Sequence, residues 1–242
     1  SEFNETATEL ITCVGKNLYK YDVCKGVFSS VISNMHTADL CSVCLDGPRG
    51  RRMFIGCGNG DVLLANYLSG QIIDKVPTHK KEVVSICCVQ GTRNNIYSAS
   101  ADGSLAILEE SHGSLHVHNL IENAFGEGIG IVKMEVAPSI RTVAAMSTQN
   151  MWGLWSSITF KKIMIVVEDE PVSAMTIVGA TNDENDHNDK EHKNFSKNFD
   201  SLIFFRFIKI IFLEVYKQNS KSKSLISMNG ITTINNFNFS KY

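Results

Sequence analysis

The sequence predicts an all-β fold assembled from a repeated four-stranded unit. Two segments carry the same pattern, in which a β-prone run, a tight polar turn and a second β-prone run follow one another. In Asn95–Gly113 the turn is Asp102-Gly103, and in Met53–Leu64 it is Asn59-Gly60. Asx-Gly between alternating apolar residues is a strong hairpin signal, because Gly tolerates the positive φ of the tight turn. Each segment is therefore predicted to form a β-hairpin.

The two hairpins are copies of one repeat. Asn59 and Asp102 are 43 residues apart, and the same separation relates His36 to His79 and Gly70 to Gly113. A period of about 40–45 residues is typical of four-stranded propeller blades. The sequence thus predicts a partial, open β-propeller of about four four-stranded blades within residues 10–178.

The repeats follow one another in chain order. The first is only a back half in residues 10–26, and two complete units cover residues 27–70 and 71–113. The inner strands of the units are predicted at Leu40–Leu45, Val83–Val89 and Ile131–Val136, and Val172–Val178 begins a fifth blade that is not finished. We therefore expect an open arc with two uncovered sheet faces rather than a closed ring.

The repeats resemble those of the WD40 proteins. The resemblance rests on a His before the inner strand, a Ser-x-Asp-Gly turn and an apolar-acidic end to the third strand. It implies a hydrogen-bonded tetrad of His, strand Ser, turn Asp and strand Trp in each blade. The candidate tetrad residues are His79, Ser98 or Ser100, and Asp102 in the second unit, His36 and Asn59 in the first, and Trp155 in the third. Leu108, Ala65 and Gln149 depart from the pattern, which implies incomplete tetrads.

Within that family, the segments CVGKNLYKYD and HKKEVVSI are similar to cilium- and flagellum-associated WD-repeat proteins. This resemblance implies a scaffold in a ciliary, flagellar or other cytoskeletal assembly, located in the cytoplasm, cilium or cytoskeleton, with other proteins, including axonemal ones, as partners. Several such proteins carry EF-hand modules, but the acidic run in residues 182–186 lacks the Gly and the distal Glu of a calcium loop.

Composition gives no sign of a catalytic or cofactor site. The chain has 242 residues and a net charge of -2, which favours neither nucleic acid nor a membrane surface as a partner. Cys41-x-x-Cys44 has zinc-ligand spacing without a second pair, and we interpret the seven Cys as core thiols of a reducing compartment. The glycines of Gly126-x-Gly128-x-Gly130 lack the flanking strand and Lys of a phosphate loop. We expect no metal, no cofactor and no small-molecule substrate.

The function predicted from the sequence is a non-catalytic protein-interaction scaffold. Arg49, Arg51 and Arg52 form a basic knuckle in a blade loop, a candidate contact for an acidic partner such as a tubulin tail. Two alternatives stay open. One is a propeller hydrolase or oxidoreductase with an axial active site, although the inner strands offer almost no inward acidic or His residues. The other is a truncated or misjoined gene product without independent function.

The composition changes after residue 178. Eight of the thirteen Phe lie in residues 181–242, and residues 181–200 are almost wholly polar, which predicts a disordered linker. The apolar run in residues 202–213 contains Arg206 and Lys209, which argues against a membrane span and leaves a packed strand or helix, or a translated non-coding stretch. Since that run is apolar on both faces, we expect residues 181–242 to stay outside the sheets, as a detached helix or irregular coil.

Overall fold

The computed structural model confirms the predicted all-β architecture of four four-stranded blades. Every element of the described part is a strand or a turn, without a helix. The structure describes residues 1–4, 6–46, 51–89, 95–138, 141–169, 171–172, 175–179, 201–205, 210–212 and 232–234.

Four antiparallel sheets, which we call blades 1 to 4, follow one another along the chain. Blade 1 contains β1 (Glu2–Phe3), β2 (Glu9–Val14), β3 (Asn17–Asp22) and β4 (Val27–Ile32). Blade 2 contains β5 (Leu40–Leu45), β6 (Arg52–Cys57), β7 (Asp61–Asn66) and β8 (Ile72–Pro77). Blade 3 contains β9 (Val83–Val89), β10 (Asn95–Ser100), β11 (Leu105–Ser111) and β12 (Ser114–Ile121). Blade 4 contains β13 (Ile131–Ala137), β14 (Thr142–Ser147), β15 (Met151–Ser156) and β16 (Lys162–Val167).

Two expectations about the repeat boundaries need correction. The first blade is not a back half, because Glu2–Phe3 pairs with β2 through Phe3 and Leu10 and supplies a short first strand. The unit that starts at Val27 is also out of phase with the sheets, since Val27–Ile32 pairs with β3 and closes blade 1. Each sequence repeat therefore supplies the last strand of one sheet and then the first strands of the next sheet. Neighbouring blades are connected through one continuous repeat.

The inner strands line up in chain order. Strand β1 contacts β5, β5 contacts β9, and β9 contacts β13. Among the described strands, the extensive contacts between sheets join consecutive blades, and none of them joins the last sheet to the first. The blades thus form an open arc.

The two faces of each blade pack against different neighbours because successive side chains of a strand alternate. In β6, Met53 and Ile55 lie in an apolar cluster with Ile11 and Leu18 of blade 1. The intervening Phe54 lies in the cluster shared with blade 3. Alternation along one strand therefore fixes which neighbour each residue contacts.

A repeated backbone hydrogen bond joins each blade to the loop that follows it. The turn between the second and third strands of a blade offers a carbonyl, and an amide of the loop before the next blade donates to it. The four bonds are Met35 N to Lys16 O (3.0 Å), His79 N to Gly60 O (3.0 Å), Ala124 N to Gly103 O (2.8 Å) and Glu168 N to Asn150 O (2.9 Å). We call these bonds the turn staples. They hold the loops at one end of the arc in register with the blades.

The expectation that residues 181–242 join no sheet is wrong for the described strands. The strand β17 (Met175–Gly179) contacts β13 and pairs antiparallel with β18 (Ser201–Phe205). A further pair joins β19 (Ile210–Phe212) to β20 (Thr232–Ile234). The physical reason is that β17 exposes a row of unpaired backbone groups, and an extended apolar segment satisfies them without the alternation that a half-exposed strand requires. The expected disordered linker, residues 181–200, lies outside the described residues.

Within the described part of the chain, no helix has the length and apolarity needed to cross a bilayer.

Candidate interaction surface

His79 connects two blades at the end of the arc that carries the turn staples. Its backbone amide donates to Gly60 of blade 2, while its ring points into blade 3. The Nε2 atom lies 2.8 Å from Ser98 Oγ, and Nδ1 lies 2.5 Å from Ser104 Oγ. His79 is 9% exposed, so both ring nitrogens are hydrogen-bonded in a nearly dry site.

Asp102 completes this network through Ser104 rather than through the His ring. Its Oδ1 accepts a hydrogen bond from Ser104 N (2.8 Å) and another from the Ser104 hydroxyl. Its Oδ2 accepts from Lys80 N at 2.7 Å. The chain of contacts thus runs Ser98–His79–Ser104–Asp102, and sequence analysis did not include Ser104. The missed signal is its position directly after the Asp102-Gly103 turn, where a hydroxyl reaches both the turn and the preceding loop.

Ser100, the other strand Ser among the candidates, lies apart from the His79 ring. Its hydroxyl donates to Lys81 O at 3.2 Å and accepts from Asp102 N at 3.1 Å. Ser100 therefore supports the backbone of the turn, whereas Ser98 contacts the imidazole.

In the first unit the loop His contacts Asp61 and not Asn59, the residue that the sequence suggested. His36 Nε2 lies 3.5 Å from Asp61 Oδ2, and Asp61 is buried. Asn59 is exposed and contacts Asp61 through Nδ2, at 2.8 Å from Oδ2. Asp61 and Ser104 are 43 residues apart, so the same position of the repeat contacts the loop His in both units.

The third unit replaces the polar network by an aromatic contact. Ala124 makes the turn staple that His79 makes in the preceding unit, so no imidazole is present at this position. Phe125 packs edge-on against Trp155, with ring centroids 5.2 Å apart and planes at 82°. Trp155 is 1% exposed and lies in the cluster between blades 3 and 4. The three units therefore connect the inter-blade loop to the neighbouring blade through different types of side-chain contact.

The electrostatics of the second unit keep His79 neutral. Burial lowers the pKa of His79 to about 4, although the nearby Asp102 carboxylate acts in the opposite direction. Burial raises the pKa of Asp102, but the hydrogen bonds from Ser104 and from Lys80 N outweigh it and leave that pKa below its usual value. A neutral imidazole with both nitrogens engaged serves as a structural connector between the blades.

A shallow cleft opens beside this network. Its volume is about 140 Å³, and it is bordered by the loop before β9, the turn after β10 and the end of β12. Lys80 and Glu122 form an exposed ion pair across it, with Nζ 2.9 Å from Oε1. The cleft presents both charges and the edge of Leu120 to solvent.

The basic knuckle is divided between a structural and an exposed residue. Arg52 pairs with Glu110 of the next blade, and Glu110 also accepts a hydrogen bond from Gly113 N at 2.7 Å. Arg51 is exposed, and its carbonyl accepts from Tyr67 N at 2.9 Å. Arg49 lies outside the described residues. Of the two described arginines of the knuckle, Arg51 is the more exposed, whereas Arg52 is held by Glu110.

The cysteines lie mainly in the apolar clusters. Cys44 is buried between blades 2 and 3, whereas Cys41 is exposed, so the two point to opposite faces of β5. Burial raises the pKa of Cys13 to about 11 and that of Cys57 to about 12, which keeps both thiols protonated. Within the described ranges, no three His, Cys, Asp or Glu residues are grouped as metal ligands.

Comparison with known proteins identifies the fold. The crystal structure of Chaetomium thermophilum Sqt1 bound to the N-terminus of the ribosomal protein L10 matches with a TM-score of 0.58 and 17% sequence identity. The match covers 69% of this chain and 48% of that chain. The fold is a WD40-type β-propeller. Identity at this level supports the fold alone.

A curated relative is similar in sequence over about half of this chain. Shk1 kinase-binding protein 15 from Schizosaccharomyces pombe is 27% identical over 119 residues, which are 49% of this chain and 32% of that protein. The chain thus spans about a third of this relative and about half of the solved propeller. No family model matches the chain.

Proposed function

We propose that this chain is a non-catalytic protein-interaction scaffold, a segment of a WD40 propeller whose loops contact other proteins. The observation that carries the proposal is that the polar side chains around His79 are already hydrogen-bonded to one another. His79, Ser104 and Asp102 form a buried polar network among the described residues, and its hydrogen bonds hold blades 2 and 3 together. The propeller surface is then left for binding.

The architecture supports this role because the framework repeats while the loops differ. The turn staples recur in all four blades, yet the loops before β5, β9 and β13 span residues 33–39, 78–82 and 122–130. A rigid frame with variable loops presents distinct surfaces at one end without changing the core. The names of the two similar proteins also describe binding, of the Shk1 kinase in one and of the L10 N-terminus in the other.

The proposed partner is an acidic protein of a ciliary or cytoskeletal assembly, and the proposed contact is Arg51. The support for it is the exposure of this guanidinium next to a paired Arg52, together with the sequence resemblance described above. A tubulin tail has the required negative charge. We propose accordingly that the protein acts in the cytoplasm, at cilia or other microtubule structures.

Co-sedimentation with microtubules tests the contact. The wild-type chain should pellet with intact microtubules and much less with microtubules stripped of their acidic tails. Arg51→Glu should reduce the pelleted fraction several-fold, because it reverses the charge that faces the tail. Lys16→Glu makes the same charge change in an exposed turn of blade 1 and should leave the pelleted fraction unchanged.

Two results would contradict the proposal at different levels. A wild-type chain that does not pellet excludes the tubulin tail as the partner. Equal losses for the Arg51 and Lys16 variants exclude Arg51 as the contact and indicate a general charge effect. A fluorescently tagged chain in ciliated cells tests the location, and a diffuse signal without enrichment at cilia or microtubules overturns that part.

A further inference from the structure

The end of the arc opposite the turn staples carries exposed apolar side chains in its turns. At this end, the turn between the third and fourth strands of a blade lies beside the loop between the first and second. Three hydrogen bonds join them: Val23 N to Thr8 O (2.8 Å), Tyr67 N to Arg51 O (2.9 Å) and Ser157 N to Arg141 O (2.8 Å). Leu68 in the turn of blade 2 is 78% exposed, Ile158 in blade 4 is 62% exposed and Val23 in blade 1 is 43% exposed. We call these three residues the apolar tips.

Leu68 and Ile158 occupy the same position of the repeat. Each lies two residues after the polar residue that ends the third strand, which is Asn66 in blade 2 and Ser156 in blade 4. The side chain of that polar residue accepts a hydrogen bond from the amide of the tip residue, at 2.9 Å in blade 2 and 3.4 Å in blade 4. An aliphatic side chain is therefore exposed at one end of two different blades by the same local structure.

The backbone of these two turns pairs its own amides. In blade 2, Asn66 Oδ1 also accepts from Ser69 N at 3.0 Å, and Gly70 N donates to Asn66 O at 2.8 Å. In blade 4, Thr159 N donates to Ser156 Oγ at 3.2 Å, and Phe160 N donates to Ser156 O at 2.9 Å. Backbone donors must be paired within the chain before a segment enters an apolar medium, because lipid offers them no partner. Each turn therefore presents its aliphatic side chain without unpaired amides beside it.

The exposed charges at this end are basic. Arg51 and Arg141 hold equivalent positions, since each offers its carbonyl to the residue that precedes a tip. The exposed basic side chains described at this end are Lys25, Arg51, Arg141, Lys161 and Lys162. The acidic side chains described there are half-buried: Glu9, Asp22, Asp46, Glu109 and Glu110. Cations thus lie around the apolar tips, which is the composition of protein surfaces that bind the interface of a membrane.

The end that carries the turn staples has the opposite balance. Its exposed acidic residues lie in the loops between blades and after the last strand of blade 4, and they are Asp39, Glu82, Glu122, Glu127 and Asp169. Its exposed basic residues are Lys16, Lys80 and Lys81. The described charges are therefore divided between two ends of the arc, although the whole chain has a net charge of only -2. Such a division turns the basic end towards an anionic surface.

We propose that the basic end of the arc binds the surface of an anionic lipid bilayer. The apolar tips enter the headgroup region, and the exposed Arg and Lys side chains lie against the lipid phosphates. The protein lies on the bilayer and does not span it. This inference goes beyond the proposed microtubule contact and does not rest on it, because the apolar tips carry it rather than Arg51.

The arrangement of the tips favours a bilayer over a protein partner. The tips belong to separate blades, so a folded partner needs a separate pocket for each of them at the spacing of the blades. A bilayer accepts each aliphatic side chain wherever it meets the interface. A second copy of this chain presents the same exposed cations at this end, and the two surfaces repel each other.

Flotation of the full chain with lipid vesicles tests the proposal. The wild type should float with phosphatidylcholine vesicles that contain about one-third phosphatidylserine and not with phosphatidylcholine alone, and added salt should weaken binding. Leu68→Ser and Ile158→Ser each remove an apolar tip without changing the charge, and each should lower the bound fraction several-fold. Val167→Ser is the matched control, because Val167 is 70% exposed at the end of β16, next to a turn staple. It should bind like the wild type.

A tryptophan at a tip reports insertion directly. Trp152 and Trp155 are 2% and 1% exposed, so a change of emission in Leu68→Trp comes from the new indole. Its emission should shift to the blue when anionic vesicles are added, and an unshifted emission contradicts insertion. Circular dichroism checks that each variant keeps its β-sheet spectrum.

Two flotation results overturn the proposal. One is a wild-type chain that does not float with anionic vesicles. The other is binding that survives both Leu68→Ser and Ile158→Ser, since the chain then contacts lipid through another surface. Microtubule pelleting is measured separately on the same variants, so a failure of the microtubule contact is distinguished from a failure of the lipid contact.

Discussion

At the scale of single residues, the second unit shows how a buried histidine becomes a structural connector. His79 donates its amide to blade 2 and engages two hydroxyls of blade 3 with its ring. Each contact provides a hydrogen-bond partner for a polar group that would otherwise be buried and unpaired. Leaving such a group unpaired costs more free energy than a hydrogen bond contributes on balance. The stability of the joint therefore depends on every member of the network.

Asp102 supports the second unit more than Asn59 supports the first. Asp102→Ala should destabilise the chain by about 1–3 kcal/mol, because it removes the acceptor for the buried Ser104 hydroxyl and for Ser104 N. Asn59→Ala should cost less, since Asn59 is exposed and Asp61 makes the contact with His36. Urea denaturation of both variants measures the difference. Equal decreases in the free energy of unfolding would show that the contact between Asp102 and Ser104 does not stabilise the chain.

Stability should also depend on pH through His79. Its pKa is about 4 in the folded chain, against about 6.5 for an unperturbed imidazole. Between these values the unfolded chain binds a proton that the folded chain excludes, so stability is complete above about pH 6.5 and falls as the pH drops towards 4. The loss amounts to about 3 kcal/mol at most.

The variant His79→Gln separates this effect from other titrations. Gln keeps a donor and an acceptor but cannot take up a proton, so denaturation midpoints between pH 7 and 4 should decline less steeply than in the wild type. Asp102, whose pKa lies below its usual value, contributes stability that is present above about pH 3.8 and is lost only as the pH falls further. Identical slopes for wild type and variant would exclude His79 as the titrating group.

At the scale of elements, the turns show why the sequence predicts the hairpins but not the contacts between blades. The Asx-Gly turns predicted the hairpins correctly, because Gly60 and Gly103 have φ values of 90° and 87° that other residues rarely adopt. Periodicity likewise located the inner strands. It did not predict that a Cβ on Gly60 would lie 2.0 Å from His79 O, since the turn staple is a contact between blades.

Other elements escaped the sequence for related reasons. Glu2–Phe3 is too short to show alternation, yet its pairing with β2 completes blade 1. Ser104 and Asp61 lie just beyond the turns, where a polar residue also fits an exposed strand end, so pattern alone does not distinguish a network member. The pairing of β17 with β18 depends on an open edge, and an edge is a property of the assembled sheet.

At the scale of the whole molecule, the chain covers one face of blade 4 with its own residues. The face of blade 4 that lies away from blade 3 packs against the segment that contains β17. There Met175 is 1% exposed and packs with Trp152 and Leu154, and its carbonyl accepts from Lys133 Nζ at 2.7 Å. The end of the arc at blade 4 is therefore covered by the chain itself.

Truncation at two points should separate the strands that complete the fold from those that merely follow it. All sixteen strands of the four blades lie within residues 2–167, so removal of residues 181–242 deprives β17 of its partner β18 but leaves the blades and Met175 in place. We expect only a small drop in melting temperature.

Removal of residues 170–242 also takes away Met175 and uncovers the blade-4 cluster around Trp152, which should lower the melting temperature further. Circular dichroism measures both melts, and a red shift of tryptophan emission in the shorter chain alone would report the exposure of Trp152. If truncation after residue 180 unfolds the blades, β18 and the strands that follow it are part of the cooperative unit, and blade 4 is not sealed by β17 alone.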